Sequence, residues 1–221
     1  MTTCKSAPKT SASTRGRNML DYEFSAWERG YERVAGVDEV GRGCLFGDVV
    51  AAAVILPRDL VIEGINDSKK LSQKKREELY DTILAHAVAW SVARVDAATI
   101  DRINIRQASR LAMKQAVEGL EPAPDFLLVD AEQVDVPTAQ LAVIHGDALS
   151  QSIAAASIVA KVTRDRLCEK EWDMLYPQYG IAIHKGYATK LHREKLREYG
   201  PSPMHRTSFL GKLFAEQQVL F

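Results

Sequence analysis

Apolar residues recur along the chain with two periods. A short apolar run, Val34–Val37, leads into Asp38-Glu39 and then into Gly41-Arg42-Gly43, a turn signal. Val49–Leu56 is a second run of strand length, stopped by Pro57, and the two together predict neighbouring strands joined by a glycine-rich loop. Trp90–Val95 alternates as a third strand, and the compact runs Phe126–Val129 and Leu141–Ile144 read as two more. Between the strands the spacing becomes helical. Leu79, Ile83, Leu84 and Val88 share one side of Gln73–Ala89, with Ser72 placed to cap it. Ile105, Ala108, Leu111, Ala112, Ala116 and Val117 do the same over Asn104–Leu120, which Gly119 and Pro122 end. Ser152 to about Tyr176 reads as one long helix. Its first half, Ile153–Ala160, is small and apolar all round, the pattern of a buried helix that lets a neighbour come close. Thr189–Tyr199 is a short charged helix stopped by Gly200-Pro201. The order predicts an α/β fold with helices packed on a sheet and a C-terminal helical region.

The acids sit at telling places in this pattern. Asp38 and Glu39 follow one strand, Asp130 another, and Asp147 a third, just before the long helix. Carboxyl ends of strands are where α/β proteins usually place ligands. Four carboxylates gathered there would repel one another unless cations sat among them, and hard divalent ions take oxygen ligands of this kind. Adjacent strand residues point to opposite faces, so Asp38 and Glu39 can share a site only if the chain leaves the strand there, an exit that Gly41 and Gly43 would permit. Each acid alone has a plainer reading: Asp147 as a helix cap, Asp38 and Glu39 as loop acids. Gly41-Arg42-Gly43 is either an ordinary turn or a place where bare backbone approaches a substrate; a ribose 2′-hydroxyl, both donor and acceptor, is a group such backbone could sense. In His184-Lys185-Gly186-Tyr187 the tyrosine could stack on a sugar or base, or belong to the core with its hydroxyl at the surface. Asp165 stands four residues after Lys161 and reads as its ion-pair partner, and His86 as a structural residue of its helix.

Composition narrows the class. The chain has 221 residues, 46% of them hydrophobic, enough for one domain with a real core. No apolar run approaches the ~18 residues of a membrane span. Met1 to about Asn18 is rich in Ser, Thr, Lys and Arg without the apolar core of a secretory signal. The expected organisation is a flexible N-terminal tail over residues 1–30, a catalytic domain over 31–212, and a C-terminal tail over 213–221. Cys4, Cys44 and Cys168 show neither zinc spacing nor a disulfide framework, which fits a reducing cytoplasm. Net charge is zero, yet cations cluster at Lys69, Lys70, Lys74, Lys75 and Arg76 and again between His184 and Lys212. Such patches attract phosphate locally, although a solvated helix face is the plainer meaning of a charge run.

Taken in series, the motifs resemble ribonuclease HII, the prokaryotic type 2 ribonuclease H family. They are Gly36-Val37-Asp38-Glu39-Val40-Gly41-Arg42-Gly43, Asn66–Ser72, Val129-Asp130, Gly146-Asp147, Ser152–Asp165, Lys185–Thr189 and His205–Phe209, in the family's order from about Val34 to Phe209. The resemblance implies a ribonuclease H-like mixed sheet flanked by helices. It implies an endonuclease that cuts the RNA strand of RNA–DNA hybrids and the 5′ side of ribonucleotides embedded in duplex DNA, using two divalent ions, Mg²⁺ or Mn²⁺. Asp38, Glu39, Asp130 and Asp147 resemble the metal-site acids. Gly41, Arg42 and Gly43 resemble the loop that reads the ribonucleotide, Tyr187 the tyrosine that packs on the following deoxyribose, and Lys69 a lysine near the substrate backbone. Val40, Cys44, Phe46 and Asp48 depart from the family's usual Ala, Pro, Ala and Pro, and Ala131 from its Gly. The short stretch before Asp38 resembles this family more than ribonuclease HIII, which carries an extra N-terminal domain. Gln217–Phe221 resembles a sliding-clamp docking peptide, or else packs on its own domain; a monomer is expected. Rival readings are a resolvase- or integrase-like nuclease, a catalytically silent hybrid-binding protein, and a phosphohydrolase acting on small molecules.

Overall fold

The computed structural model describes residues 18–211. In chain order they form α1 (Asp21–Glu28), β1 (Val34–Val40), β2 (Val49–Ile55), α2 (Gln73–His86), β3 (Ala89–Val95), α3 (Ala97–Ile103), α4 (Ile105–Glu118), β4 (Phe126–Asp130) and β5 (Ala139–Val143). A 3₁₀ turn at Gly146–Ala148 then leads into α5 (Gln151–Leu167), followed by α6 (Asp173–Leu175), α7 (Ile181–His184) and α8 (Lys190–Tyr199). The five strands make one mixed sheet in the order β3-β2-β1-β4-β5. β2 is antiparallel to both its neighbours, while β1, β4 and β5 run parallel, so all strands but β2 end at the same edge.

The sheet is covered on both faces, which is why its central strands are apolar throughout. All seven residues of β2 are buried. Their alternation sorts them: Val49, Ala51, Ala53 and Ile55 pack with α4 residues such as Ala108, Ala112 and Met113, whereas Ala52 and Val54 pack with Leu79 and Ile83 of α2 and Ala155, Ile158 and Val159 of α5. The small residues of α5 allow it to lie directly on β1. A Cβ on Gly36 would stand 2.0 Å from the carbonyl carbon of Ser152. Caps follow the expected chemistry, with Ser72, Asp96, Asn104, Ser150 and Thr189 each accepting a backbone N–H at the start of its helix.

Several boundaries differ from the sequence expectations. The expected flexible tail does not extend to residue 30, because Asp21–Glu28 is helix α1. α1 is anchored by Glu23, whose buried Oε1 accepts from the Ser150 hydroxyl at 2.7 Å and the Ser152 N–H at 2.9 Å. The tail's first part, residues 1–17, lies outside the described residues, as does 212–221 with the expected C-terminal tail. The third strand begins at Ala89, so α2 stops at His86. α3 had no expectation; its seven residues are too few to show a period, although Asp96 caps it. The long helix is one rod only to Leu167, after which Cys168–Trp172 winds as a π turn. That turn buries Cys168 and Trp172 with Phe46, Tyr179 and Ile181, tying the C-terminal helices to the loop between β1 and β2.

Candidate active site

β1 does not end before its acids. It continues through Asp38 and Glu39 to Val40, pairing Asp38 with Ala52 and Glu39 with Ala51. The expected strand exit is therefore absent, and strand alternation sends the two side chains to opposite faces of the same edge. Asp38 lies on the α5 side, 5% exposed, beside the Ser157 hydroxyl and accepting from the Glu39 N–H at 2.7 Å. Glu39 lies on the other side, where Arg42 Nη1 is 3.2 Å from its Oε1. Asp130 is the last residue of β4 and accepts from the Gly146 N–H at 2.7 Å, a bond that folds the turn carrying Asp147 back toward the strand ends. Asp147, 6% exposed, lies 3.7 Å from Lys69 Nζ.

The electrostatics show that these acids crowd one another. Burial, then the charges of Glu39 and Asp130, hold the Asp38 carboxyl well above its ordinary pKa. Burial raises Glu39 despite Arg42. Burial raises Asp147 as well, helped by Asp67 and Asp130. For Lys69, burial works against the charge, but Asp147, Asp38, Asp67 and Asp130 together raise its pKa. Two flexible cations, Arg42 and Lys69, thus offset part of an excess of negative charge. Among the described residues no three His, Cys, Asp or Glu side chains are close enough to form a ready metal cage. Glu39 and Asp147 are drawn instead to the basic groups beside them. The donor set, all carboxylate oxygen and short of positive charge, fits hard divalent ions.

Beside Asp38 and Glu39 lies a cavity of about 250 Å³ whose walls include Ser157, Lys69, Arg76, Lys161 and Tyr187. Two acids, three cations and an aromatic ring thus share one cavity, a combination suited to a phosphodiester and its sugar. Lys161 pairs with Asp165 at 2.7 Å, as its spacing foretold, and also sits 5.8 Å from the Tyr187 ring centre. Arg76 stands 4.0 Å from the same Asp165. The sequence reading missed the cavity roles of Lys161 and Ser157. The signal for Ser157 was there: it is polar within the all-apolar stretch of α5, and its hydroxyl lies 2.9 Å from that of Ser68. Tyr187 is 39% exposed, with its hydroxyl pKa pushed up to about 12 by burial and then by Cys44. Asp48 stays outside the acid group and pairs with Arg94 at 3.7 Å. A larger groove of about 730 Å³, beside α4 and residues 133–135, contains none of the four acids.

A family model described as Ribonuclease HII matches residues 35–212. The ribonuclease HII of Alkaliphilus metalliredigens is 61% identical over 202 residues, covering 89% of this chain and 98% of that protein. Among solved structures, the ribonuclease H2 of Pyrococcus horikoshii superposes with a TM-score of 0.69 at 25% identity, over 85% of this chain and 99% of the other. The RNase HII of Archaeoglobus fulgidus, solved in a complex with PCNA, gives 0.64 at 28% identity, over 80% and 94%.

Proposed function

The chain belongs to the ribonuclease HII family, metal-dependent endoribonucleases that cleave the RNA strand of RNA–DNA hybrids, and from that premise we propose the finer reaction. The enzyme also cuts on the 5′ side of single ribonucleotides embedded in duplex DNA, leaving a 3′-hydroxyl and a 5′-phosphate. The observation that carries this reading is the meeting of Asp38 and Glu39 with three cations and an exposed tyrosine in one cavity, with Asp130 close enough to raise the Asp38 pKa.

In this reading Asp38, Glu39, Asp130 and Asp147 hold two divalent ions, Mg²⁺ or Mn²⁺. Bound there, the ions would acidify a water for attack on phosphorus and offset charge on the leaving 3′ oxygen. The chain's own residues do the rest. Arg42 and Lys69 already neighbour the acids and are free to turn toward phosphate once other cations compensate Glu39 and Asp147. Lys161 and Arg76 add positive potential along the cavity. The backbone of Gly41, Arg42 and Gly43 meets the ribose, where its polar groups can distinguish a 2′-hydroxyl from hydrogen. Tyr187 presents its ring to the sugar on the 3′ side. Gln217–Phe221, outside the described residues, would dock a sliding clamp, a role supported by the PCNA complex of the Archaeoglobus fulgidus enzyme. The protein would act as a cytoplasmic monomer; no described helix is long and apolar enough to cross a membrane.

The test is a DNA duplex carrying one ribonucleotide, incubated with Mg²⁺, with Mn²⁺ and with chelator, beside an all-DNA duplex. Cleavage should map to the 5′ side of the ribonucleotide, require metal, and spare the all-DNA control. Equal cutting of both duplexes, or cutting in chelator, contradicts the reading. For the tail, a clamp pull-down indifferent to deleting residues 217–221 would remove that part.

A further inference from the structure

Two arginines outside the acid site are completely buried, Arg164 on α5 and Arg206 beyond α8, both 0% exposed. Neither has a carboxylate salt-bridge partner among the described residues; their donors go to backbone carbonyls. Arg206 donates from Nε and Nη2 to the Gly47 carbonyl at 2.9 and 2.7 Å, and from Nη1 to those of Gly41 and Arg42 at 2.7 and 3.0 Å. Arg164 donates to the carbonyls of Asp48, Phe46 and Lys185 at 3.0, 3.0 and 2.8 Å. Every one of these acceptors lies in the loop 41–48 or immediately before Gly186-Tyr187.

We propose that Arg164 and Arg206 are positioning residues that set the shape of the ribonucleotide-reading loop and its separation from Tyr187. The inference rests on the substrate reading above. A buried cation without a paired anion is costly, and apolar side chains could fill the same volume more cheaply. What they could not do is satisfy carbonyls from two chain segments at once with one rigid, planar fork. With the Gly41 and Arg42 carbonyls taken by guanidinium, those two residues have their N–H groups and the Arg42 side chain left to offer a substrate. The close approach is built in. Gly41 has φ +95°, and a Cβ there would fall 2.4 Å from Arg164 Nε; one on Gly186, φ +82°, would meet the Phe46 carbonyl oxygen at 2.8 Å. The Leu45 N–H donates to the Gly186 carbonyl at 2.9 Å, so the loop is tied directly to the Tyr187 segment beside Arg164.

A merely structural role would weaken all cleavage in step with folding. A positioning role separates substrates, because the Tyr187 contact with a deoxyribose counts at an embedded ribonucleotide and not within continuous RNA. Arg164→Lys and Arg206→Lys, which keep the charge and lose the fork, are compared with the unaltered full-length protein. The readouts are kcat and KM on the single-ribonucleotide duplex and on a long hybrid, Mn²⁺ affinity by calorimetry, and thermal unfolding. At a temperature where all are folded, kcat/KM on the single-ribonucleotide duplex should fall at least ten-fold more than on the hybrid, with Mn²⁺ affinity unchanged. Equal losses on both substrates, or Mn²⁺ affinity lost in parallel, overturn the proposal. If a lysine variant does not fold, Arg164→Gln and Arg206→Gln, which keep an amide donor without a buried charge and still lose the fork, replace them and should show the same skewed loss. An unaltered protein that cuts the hybrid but not the single-ribonucleotide duplex contradicts the underlying substrate reading, and is recognised before any variant is made.

Discussion

Asp38 shows how a single residue carries opposed demands. It is buried, and its carboxyl is held well above its usual pKa by burial and by the charges of Glu39 and Asp130. Asp38→Asn should therefore abolish cleavage of hybrid while leaving hybrid binding measurable by a mobility shift. It should also raise the melting temperature of metal-free protein at neutral pH, since it removes a buried charge that burial and its neighbours disfavour. A melting temperature unchanged or lowered without metal would show that the charge is better compensated than its neighbours suggest. Tyr187 poses a simpler test. Stacking on a base or sugar is worth ~1–3 kcal/mol, so Tyr187→Ala should slow cleavage at single ribonucleotides by about five- to 150-fold. Unchanged single-turnover rates on that substrate would dispose of its assigned contact. Lys161 illustrates what residue-level reading misses. Its spacing to Asp165 was correctly read as an ion pair, yet it also stands at the Tyr187 ring and lines the cavity. One neighbour along a helix is visible in sequence; a neighbour from another segment is not.

At the scale of elements, α5 against β1 is the contact on which the site geometry stands. It places Ser157 beside Asp38 and Arg164 beneath Gly41. The run Ile153–Ala160 announced a buried helix with a closely packed partner, and the partner turned out to be Gly36. Gly36→Ala would drive a methyl group into the backbone of Ser152 and Ile153. Overpacking of this kind costs ~1–3 kcal/mol, and backbone rather than side chain is in the way, so about 3 kcal/mol of lost stability in urea unfolding is expected. A change below roughly 1 kcal/mol would mean that α5 can slide freely along the sheet. The end of α5 was not legible. A π turn preserves helical spacing nearly as well as an α turn does, and only the packing of Trp172 on the Phe46 cluster shows why the register shifts there.

At the scale of the whole molecule, three buried histidines hold the C-terminal helices to one another, and one of them, His205, packs on Phe46 of the loop between β1 and β2 with ring centroids 4.8 Å apart. His184 stacks on His192 with centroids 4.2 Å apart, and His192 Nε2 lies 3.1 Å from His205 Nε2. Burial depresses His192 to about 4, and burial with its neighbour His192 depresses His205 to about 3, both below the free value of 6.5. A native pKa below the unfolded one means that the unfolded chain takes up protons first. Stability therefore falls as pH drops from 6.5 toward 4, by about 1.4 kcal/mol per pH unit per histidine. The raised carboxylates of Asp38, Glu39 and Asp147 act with the opposite sign, which makes a variant comparison necessary. Urea midpoints at pH 7, 6 and 5 should fall less steeply in His205→Gln than in the unaltered protein; equal slopes would contradict the histidine account. What the sequence by itself determined was the local and repetitive part: the strand and helix periods, the caps, and an ordered series of motifs specific enough to name a family. Tertiary structure alone decided that β1 runs on through Asp38 and Glu39, that α1 belongs to the core, that Lys161 and Ser157 reach the cavity, and that two buried arginines hold the loop between β1 and β2. Those facts depend on contacts between segments far apart in the chain, and neither hydrophobic period nor residue type records which distant segment a side chain will meet.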